Sequence, residues 1–320
     1  MSKIISVVVP VYNNKESLEE TCQQIVEVHK NNFNHLILEM MFVNDGSKDG
    51  SWEELLRLQE IYKEKISLLN LSRNFGQLGA MLAGFNHAEG DAIICISADL
   101  QDPISLMARM VSYWEKSDTE IVMGYRQNRT DSFLARIFSK FAYFVARISY
   151  PELPKGGSDY WLMSKRASKI LCSLKGRHNS LNGCLMSVGF SKMFIPYTRI
   201  QRKFGKSGWG FWKKFKVLVD FLVDTSYVPI RFMSALGVVT AFSGFLYSIS
   251  ITCAWFYNKT PFPGWAPIMI VSMIIGGIIM TMLGVLGEYI WRIYDNTKSF
   301  PFFIVDEKKS TYANKGVISS

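Results

Sequence analysis

Apolar residues come first in short unbroken blocks, then at helical spacing, and finally in two much longer stretches. Ile4 to Val9 is a continuous, mostly β-branched block that breaks at Pro10, Val11, Tyr12, Asn13 and Asn14. Leu36 to Val43 breaks at Asn44, Asp45, Gly46 and Ser47, and Ile66 to Leu71 at Ser72, Arg73 and Asn74. The run from Ala92 breaks at Asp99, Gln101 and Asp102, and Pro103 opens the next segment. Blocks of this kind, bounded by turn formers, predict strands buried on both faces. Between them the period changes. Lys15 to Lys30 reads as a helix, a second helix has Trp52, Leu55, Leu56 and Leu58 on its apolar side, and Gly79, Ala80, Ala83 and Gly84 give a third a small-residue face. This repetition predicts an α/β fold with right-handed crossovers and a mainly parallel, Rossmann-like sheet. The polar turns then lie at the carboxyl ends of strands, where open α/β sheets bind ligands.

The two long stretches change the picture. No charged residue occurs from Phe232 to Asn258 or from Thr260 to Gly287, and each exceeds the roughly 20 residues needed to cross a bilayer core. Two transmembrane helices are expected, about 232–256 and 267–287. They divide the chain into a domain at 1–231, a hairpin at 232–290 and a tail at 291–320. Trp255, Tyr257, Trp265, Tyr289 and Trp291 stand where interfacial aromatics belong. Lys203, Lys206, Lys213, Lys214, Lys216 and Arg231 precede the first span, Arg292, Lys298, Lys308 and Lys309 follow the second, and the loop between holds only Lys259. The positive-inside rule then puts both termini in the cytoplasm of a multi-pass protein of the cytoplasmic membrane. The first apolar run stops at Pro10 with neither a basic start nor a cleavage site, so no secretory signal is expected. The tail from Phe300 shows no motif and is expected to be a partly disordered extension.

The 320 residues have a formal net charge of +9. Its lysines cluster beside the membrane segments, which argues against nucleic acid as a partner. Ser132 to Ile148 places Phe133, Ile137, Phe141, Phe144 and Ile148 at helical spacing among Arg136, Lys140 and Arg147, and Trp209 to Val223 is similar. Aromatic, basic, amphipathic stretches suit a membrane interface, although Phe-rich stripes also pack inward. The five cysteines have no paired spacing, so neither a disulfide framework nor a zinc site is implied.

Chemistry concentrates in the turns. Asp99 and Gln101 lie two residues apart; in extended chain both would face one way and could share a hard divalent cation, although a plain Asp-Pro turn with a helix cap explains them equally well in isolation. An EF-hand loop starting at Asp45 fails because its twelfth position is Leu56, and a Walker loop ending at Gly205, Lys206 and Ser207 fails because Ile200 stands where glycine is required. No G-x-G-x-x-G opens the first helix. Carboxylates, a cation and no glycine-rich cradle suit a nucleotide whose diphosphate is neutralised by metal and by basic side chains from elsewhere. Of the four histidines only His178 falls in a candidate loop.

VVVPVYN (7–13), VNDGSKDGS (43–51), LSRNFGQLGA (71–80), ADLQDP (98–103), Gly124 to Arg126, Ser158 to Met163 and Arg202 to Ser207 together resemble the membrane-anchored branch of glycosyltransferase family 2. That branch includes dolichol-phosphate mannose synthases and bacterial polyprenyl-phosphate glycosyltransferases of the O-antigen glucosylation type; LGEYIWRIY (286–294) resembles the bacterial members. The resemblance implies a GT-A fold and inverting transfer of one sugar from a nucleotide diphosphate sugar, UDP-glucose or UDP-N-acetylhexosamine first, to polyprenyl (undecaprenyl) monophosphate. It implies that Pro10, Tyr12, Asn13 and Asp45 hold the nucleoside, with Asn74, Gln77 and Ala98 in the same site. Asp99 and Gln101 would bind Mg²⁺ or Mn²⁺. Arg126, Arg136 and Ser139 would grip the lipid phosphate, Asp159 would sit by the sugar, and Arg202 and Lys206 would reach the donor phosphates. A homo-oligomer, a tetramer among the options, is implied by the same relatives. One departure is plain: the family's D-x-D motif has Ser97 at its first position, leaving one negative charge fewer. Two rivals remain: a processive polysaccharide synthase, disfavoured because no Q-x-x-R-W occurs, and a catalytically silent nucleotide-sugar-binding scaffold, which Ser97 alone supports.

Overall fold

A computed structural model describes residues 2–127, 147, 151–152, 154, 158, 160–173, 181–200, 228–257, 266–297 and 301–312. Its centre is a seven-stranded sheet of β1 (Ile4–Val11), β2 (Ile37–Asn44), β3 (Ile66–Asn70), β4 (Ala92–Cys95), β5 (Ile121–Arg126), β6 (Tyr160–Ser164) and β7 (Lys192–Tyr197), in the order β3-β2-β1-β4-β6-β5-β7. β1 pairs in parallel with β2, Ile4 opposite Ile37 through Val11 opposite Asn44, and with β4 on its other side. β2–β3 and β5–β7 are also parallel, and only β6 runs against its neighbours. Six carboxyl ends therefore share one edge, and between β1 and β4 the chain order reverses, which opens a crevice there.

The unbroken apolar blocks are explained by helices on both faces. Ile5, Val7 and Val9 face α1 (Lys15–Asn32), α2 (Ser51–Tyr62) and α4 (Leu106–Lys116) through Leu18, Ile25, Leu55 and Met107. Val8, Met41 and Val43 face α3 (Gln77–His87), α5 (Lys165–Ser173) and α6 (Leu181–Ser187) through Ala80, Ala83, Leu171 and Leu185. Each fully buried aliphatic side chain contributes roughly 1.5–3 kcal/mol. α3 lies so close to the sheet that a Cβ at Gly84 would come within 2.3 Å of Val8 Cγ1.

α7 (Val228–Phe256) and α8 (Ala266–Thr297) have 29 and 32 residues, about 43 and 48 Å of helix against a hydrocarbon core of about 30 Å. Their most apolar windows, Ile230–Tyr247 and Val271–Asp295, are 6% and 0% buried, so the rest of the protein does not cover them as it would a core helix. α8 continues past the expected end near Gly287; Glu288 and Arg292 pair one turn apart at 3.2 Å there. All five cysteines are free. The amphipathic stretches lie outside the described residues, apart from Arg147.

The tail departs from expectation. Residues 301–312 are no loose extension: Leu71 bridges Val305 and Leu68 bridges Thr311, both antiparallel, along the open side of β3. Residues 313–320 lie outside the described residues.

Candidate functional site

The crevice opens because pairing between β1 and β4 stops early. Its last bond is the Ile96 N–H to the Val8 carbonyl at 3.1 Å. The next donor on that side of β1 would be Pro10, which has none, so the chain after Ile96 peels away. On the other side β1 runs on to Val11, and Asn13 turns left-handed at φ 54°, a conformation open to asparagine. Its N–H donates to Ser47 Oγ at 3.0 Å, and its Oδ1 accepts from the Lys48 N–H at 2.9 Å. Tyr12 is thereby left 49% exposed at the rim.

Asp45 lies beneath that rim, 3% exposed. Its two oxygens accept the N–H groups of Phe75 at 2.6 Å and Gly76 at 2.9 Å. Burial raises its pKa, against those two donors. Besides its expected place at the nucleoside, this carboxylate shapes the loop after β3. Gly46, at φ +69°, lets the two loops touch, since a Cβ there would sit 2.8 Å from Asn74 N. Arg73 lies over the Phe75 ring at 4.3 Å, Asn74 Oδ1 accepts the Gly76 N–H at 3.1 Å, and Gln77 opens α3.

The acidic loop is a turn, not the extended strand end assumed for Asp99 and Gln101. β4 stops at Cys95, and Leu100 between the two residues has φ 55°, a strained value of the kind that clusters at functional sites. Asp99 Oδ1 accepts from the Ser97 hydroxyl at 2.7 Å and from the Gln101 N–H at 3.3 Å, and the buried Ala98 carbonyl accepts from Ser17 Oγ at 2.6 Å. The loop is tied to the end of β7: Ile200 N–H donates to the Gln101 carbonyl at 2.8 Å, and Tyr197 OH to Asp102 Oδ1 at 2.8 Å. Arg199 stands between the carboxylates, 3.9 Å from Asp99 and 3.6 Å from Asp102. Arg126, at the end of β5, donates to Tyr197 OH at 3.4 Å. Burial raises the pKa of Asp102, with Arg199 and Tyr197 pulling the other way.

A hard divalent cation fits this donor set in one manner. Among the described residues no group of three His, Cys, Asp or Glu side chains could cage a metal. Of the loop's two carboxylates Asp102 is buried against Arg199 and Tyr197, which leaves Asp99, with the Ser97 hydroxyl bonded to it and the Gln101 side chain two residues on. Mg²⁺ commonly binds through one or two carboxylates plus substrate phosphates and water, so the remaining ligands would come from a bound diphosphate.

Pro10, Tyr12, Asn13, Asp45, Asn74, Gln77, Ala98, Asp99, Gln101 and Arg126 thus all belong to loops or strand ends at one sheet edge. Arg136, Ser139, Asp159, Arg202 and Lys206 lie outside the described residues. Sequence reasoning passed over Arg199, Tyr197 and Asp102. The one local signal was Arg199 three residues ahead of Arg202, and nothing nearby in the chain reveals that β7 pairs with β5 and delivers it to the acidic loop.

A family model described as Glycosyl transferase family 2 matches residues 6–170. An uncharacterized glycosyltransferase of Bacillus subtilis, YkcC, is 33% identical over 94% of this chain and 93% of its own. The bactoprenol glucosyl transferase of Shigella phage SfX is 31% identical over 95% and 99%. Among solved structures, glucosyl-3-phosphoglycerate synthase of Mycobacterium tuberculosis in complex with phosphoglyceric acid shares the fold at TM-score 0.51 and 16% identity, covering 70% of this chain and 80% of that one. The same enzyme was also solved with Mn²⁺, UDP-glucose and phosphoglyceric acid, at TM-score 0.50, 15% identity and the same coverage.

Proposed function

Because the chain belongs to glycosyltransferase family 2, we propose that it moves one sugar, with inversion, from a nucleoside diphosphate sugar bound in the β1–β4 crevice to a polyprenyl monophosphate at the cytoplasmic membrane face. The observation that carries this reading is the likeness to a bactoprenol glucosyl transferase over 95% of the chain, hairpin included. UDP-glucose leads as donor, with UDP-N-acetylhexosamine next.

Each residue of the crevice has a part in that transfer. Tyr12 offers a face for the base, Pro10 and Ala98 form the walls, and Asn13, Asp45, Asn74 and Gln77 hold the nucleoside, Asp45 also bracing the loop after β3. Asp99 and Gln101 would hold Mg²⁺ or Mn²⁺. When bound, the cation neutralises charge that builds on the departing diphosphate, and Arg202 and Lys206 add to that. Arg126, with Arg136 and Ser139, receives the lipid phosphate, while Asp159 orients the sugar. A phosphate monoester with a second pKa near ~6 is already mostly dianionic at neutral pH, so the acceptor needs no general base.

The pairing of the tail after α8 with β3 supports a catalytic domain and tail on one side of the bilayer, joined by a chain that crosses it an even number of times. The lysine and arginine flanks favour the cytoplasm as that side.

The direct test incubates purified protein and polyprenyl phosphate with labelled nucleotide sugars. A lipid carrying one sugar, formed only with a divalent cation, is expected; a polymer or no product with any donor overturns the proposal.

A further inference from the structure

Residues 301–312 do more than cover an edge. Thr311 exchanges both backbone bonds with Leu68, at 2.7 and 2.9 Å, and the Asp306 N–H donates to the Asn70 carbonyl at 2.7 Å. Shielding an edge strand is reason enough for those contacts. The pairing, however, continues beyond β3: the Ser72 N–H donates to the Ile304 carbonyl at 2.9 Å. Ser72 begins the loop whose Phe75 and Gly76 amides rest on Asp45 and which carries Arg73, Asn74 and Gln77. Phe302, Phe303 and Val305 pack on the α3 side of the core together with Phe75. A Cβ at Gly79 would lie 2.8 Å from Phe75 Cβ and 2.9 Å from the Phe302 carbonyl oxygen, so Gly79 is where loop, helix and tail meet. Thr297, the last residue of α8, is five residues before Phe302, at most about 18 Å of chain.

We infer that residues 301–312 are a positioning strap: through Ile304 on Ser72 and Phe302 on Gly79 they hold loop 72–77 in its donor-binding shape and tether the crevice to the membrane end of α8. The inference rests on the reading of that crevice as a nucleotide site. The strap is assigned no contact with either substrate; it acts on the loop that holds the nucleoside.

The test compares wild type, Val305→Asp and the conservative Val305→Ile in the full-length, detergent-purified protein. Hydrogen exchange is read at residues 72–77 and 304–311 without ligand, UDP binding is measured in the presence of Mn²⁺, and kcat is separated from the KM of each substrate. In Val305→Asp, exchange at 72–77 should quicken together with that of the strap. UDP should bind about tenfold more weakly, within the usual range of coupling between sites, and donor KM should rise while kcat and lipid KM hold; Val305→Ile should match wild type. A released strap with unchanged exchange at 72–77 and unchanged UDP binding overturns the inference, as does a fall in kcat and thermal stability without a rise in donor KM. Should Val305→Asp fail to fold, Val305→Ala loosens the strap with a smaller loss of packing, and the same outcomes decide. Wild-type protein that binds no UDP overturns the nucleotide reading instead, and the exchange data then judge the strap alone.

Discussion

At the scale of single residues, Ser97 marks the difference between a ligand and a support for one. Its hydroxyl donates to Asp99 Oδ1 at 2.7 Å, which orients the carboxylate without adding charge. Asp99→Asn should therefore lower cation-dependent turnover by about 10²–10³, and Ser97→Ala by about tenfold or less, the worth of one hydrogen bond. Initial rates titrated with Mn²⁺ check this; equal losses would make the Ser97 hydroxyl itself a ligand. A second residue sits far from the crevice. Glu39, a carboxylate inside the apolar run of β2, accepts from the Ser6 hydroxyl and from the Glu89 N–H, and burial raises its pKa despite those bonds. A carboxyl whose pKa is higher folded than unfolded contributes stability below its unfolded value, and that contribution is lost as pH rises through the folded one. Glu39→Gln removes the ionisation, so its Tm relative to wild type should climb as pH rises from the ordinary glutamate value of about 4.3 through the higher folded one. A flat difference across that window would refute the buried-carboxylate account.

At the scale of elements, the fit of α3 on the sheet sets the most stringent demand. Gly84→Ala forces a methyl to within 2.3 Å of Val8 Cγ1 and 3.2 Å of Val43 Cγ2. Overpacking of this kind costs about 1–3 kcal/mol, and each kcal/mol lowers Tm by about 2–4 °C in a domain of this size. Adding Val8→Ala should recover part of the loss in thermal denaturation, because the two sites share one contact. The small-residue face of α3 could be read from its spacing, since small side chains at i, i+3 and i+4 permit close approach whatever lies opposite. The four parallel strands at the amino-terminal end were equally legible, because burial on both faces leaves only single polar positions, Ser6, Glu39 and Ser67, within mostly apolar blocks. β6 was not. An antiparallel strand buried on both faces has the same local pattern as a parallel one, and only its pairing with β4 and β5 reveals its direction. The acidic loop misled for a related reason: two residues at spacing two look like one face of a strand until a left-handed Leu100 turns the chain between them.

At the scale of the whole molecule, the membrane hairpin and the strap make a prediction about sidedness. Alkaline phosphatase inserted between α7 and α8 should be active in whole cells, and the same reporter at the carboxyl terminus should be inactive. The reverse result would place the catalytic domain outside and remove its access to cytoplasmic nucleotide sugars.

What the sequence by itself determined was local and repetitive: apolar blocks long enough for strands, runs long enough for a bilayer, turns rich in oxygen and nitrogen at strand ends, and motifs specific enough to name a family. Those signals survive in one dimension because each arises from burial or backbone geometry within a few residues. Tertiary structure decided which of those groups meet. It showed Asp45 bracing the neighbouring loop, brought Arg199 from the far side of the sheet between Asp99 and Asp102, and folded the tail back onto β3. Contacts of this kind depend on strand order and on segments as much as 252 residues apart in the Gln59–Thr311 pair, and no local periodicity encodes such a distance.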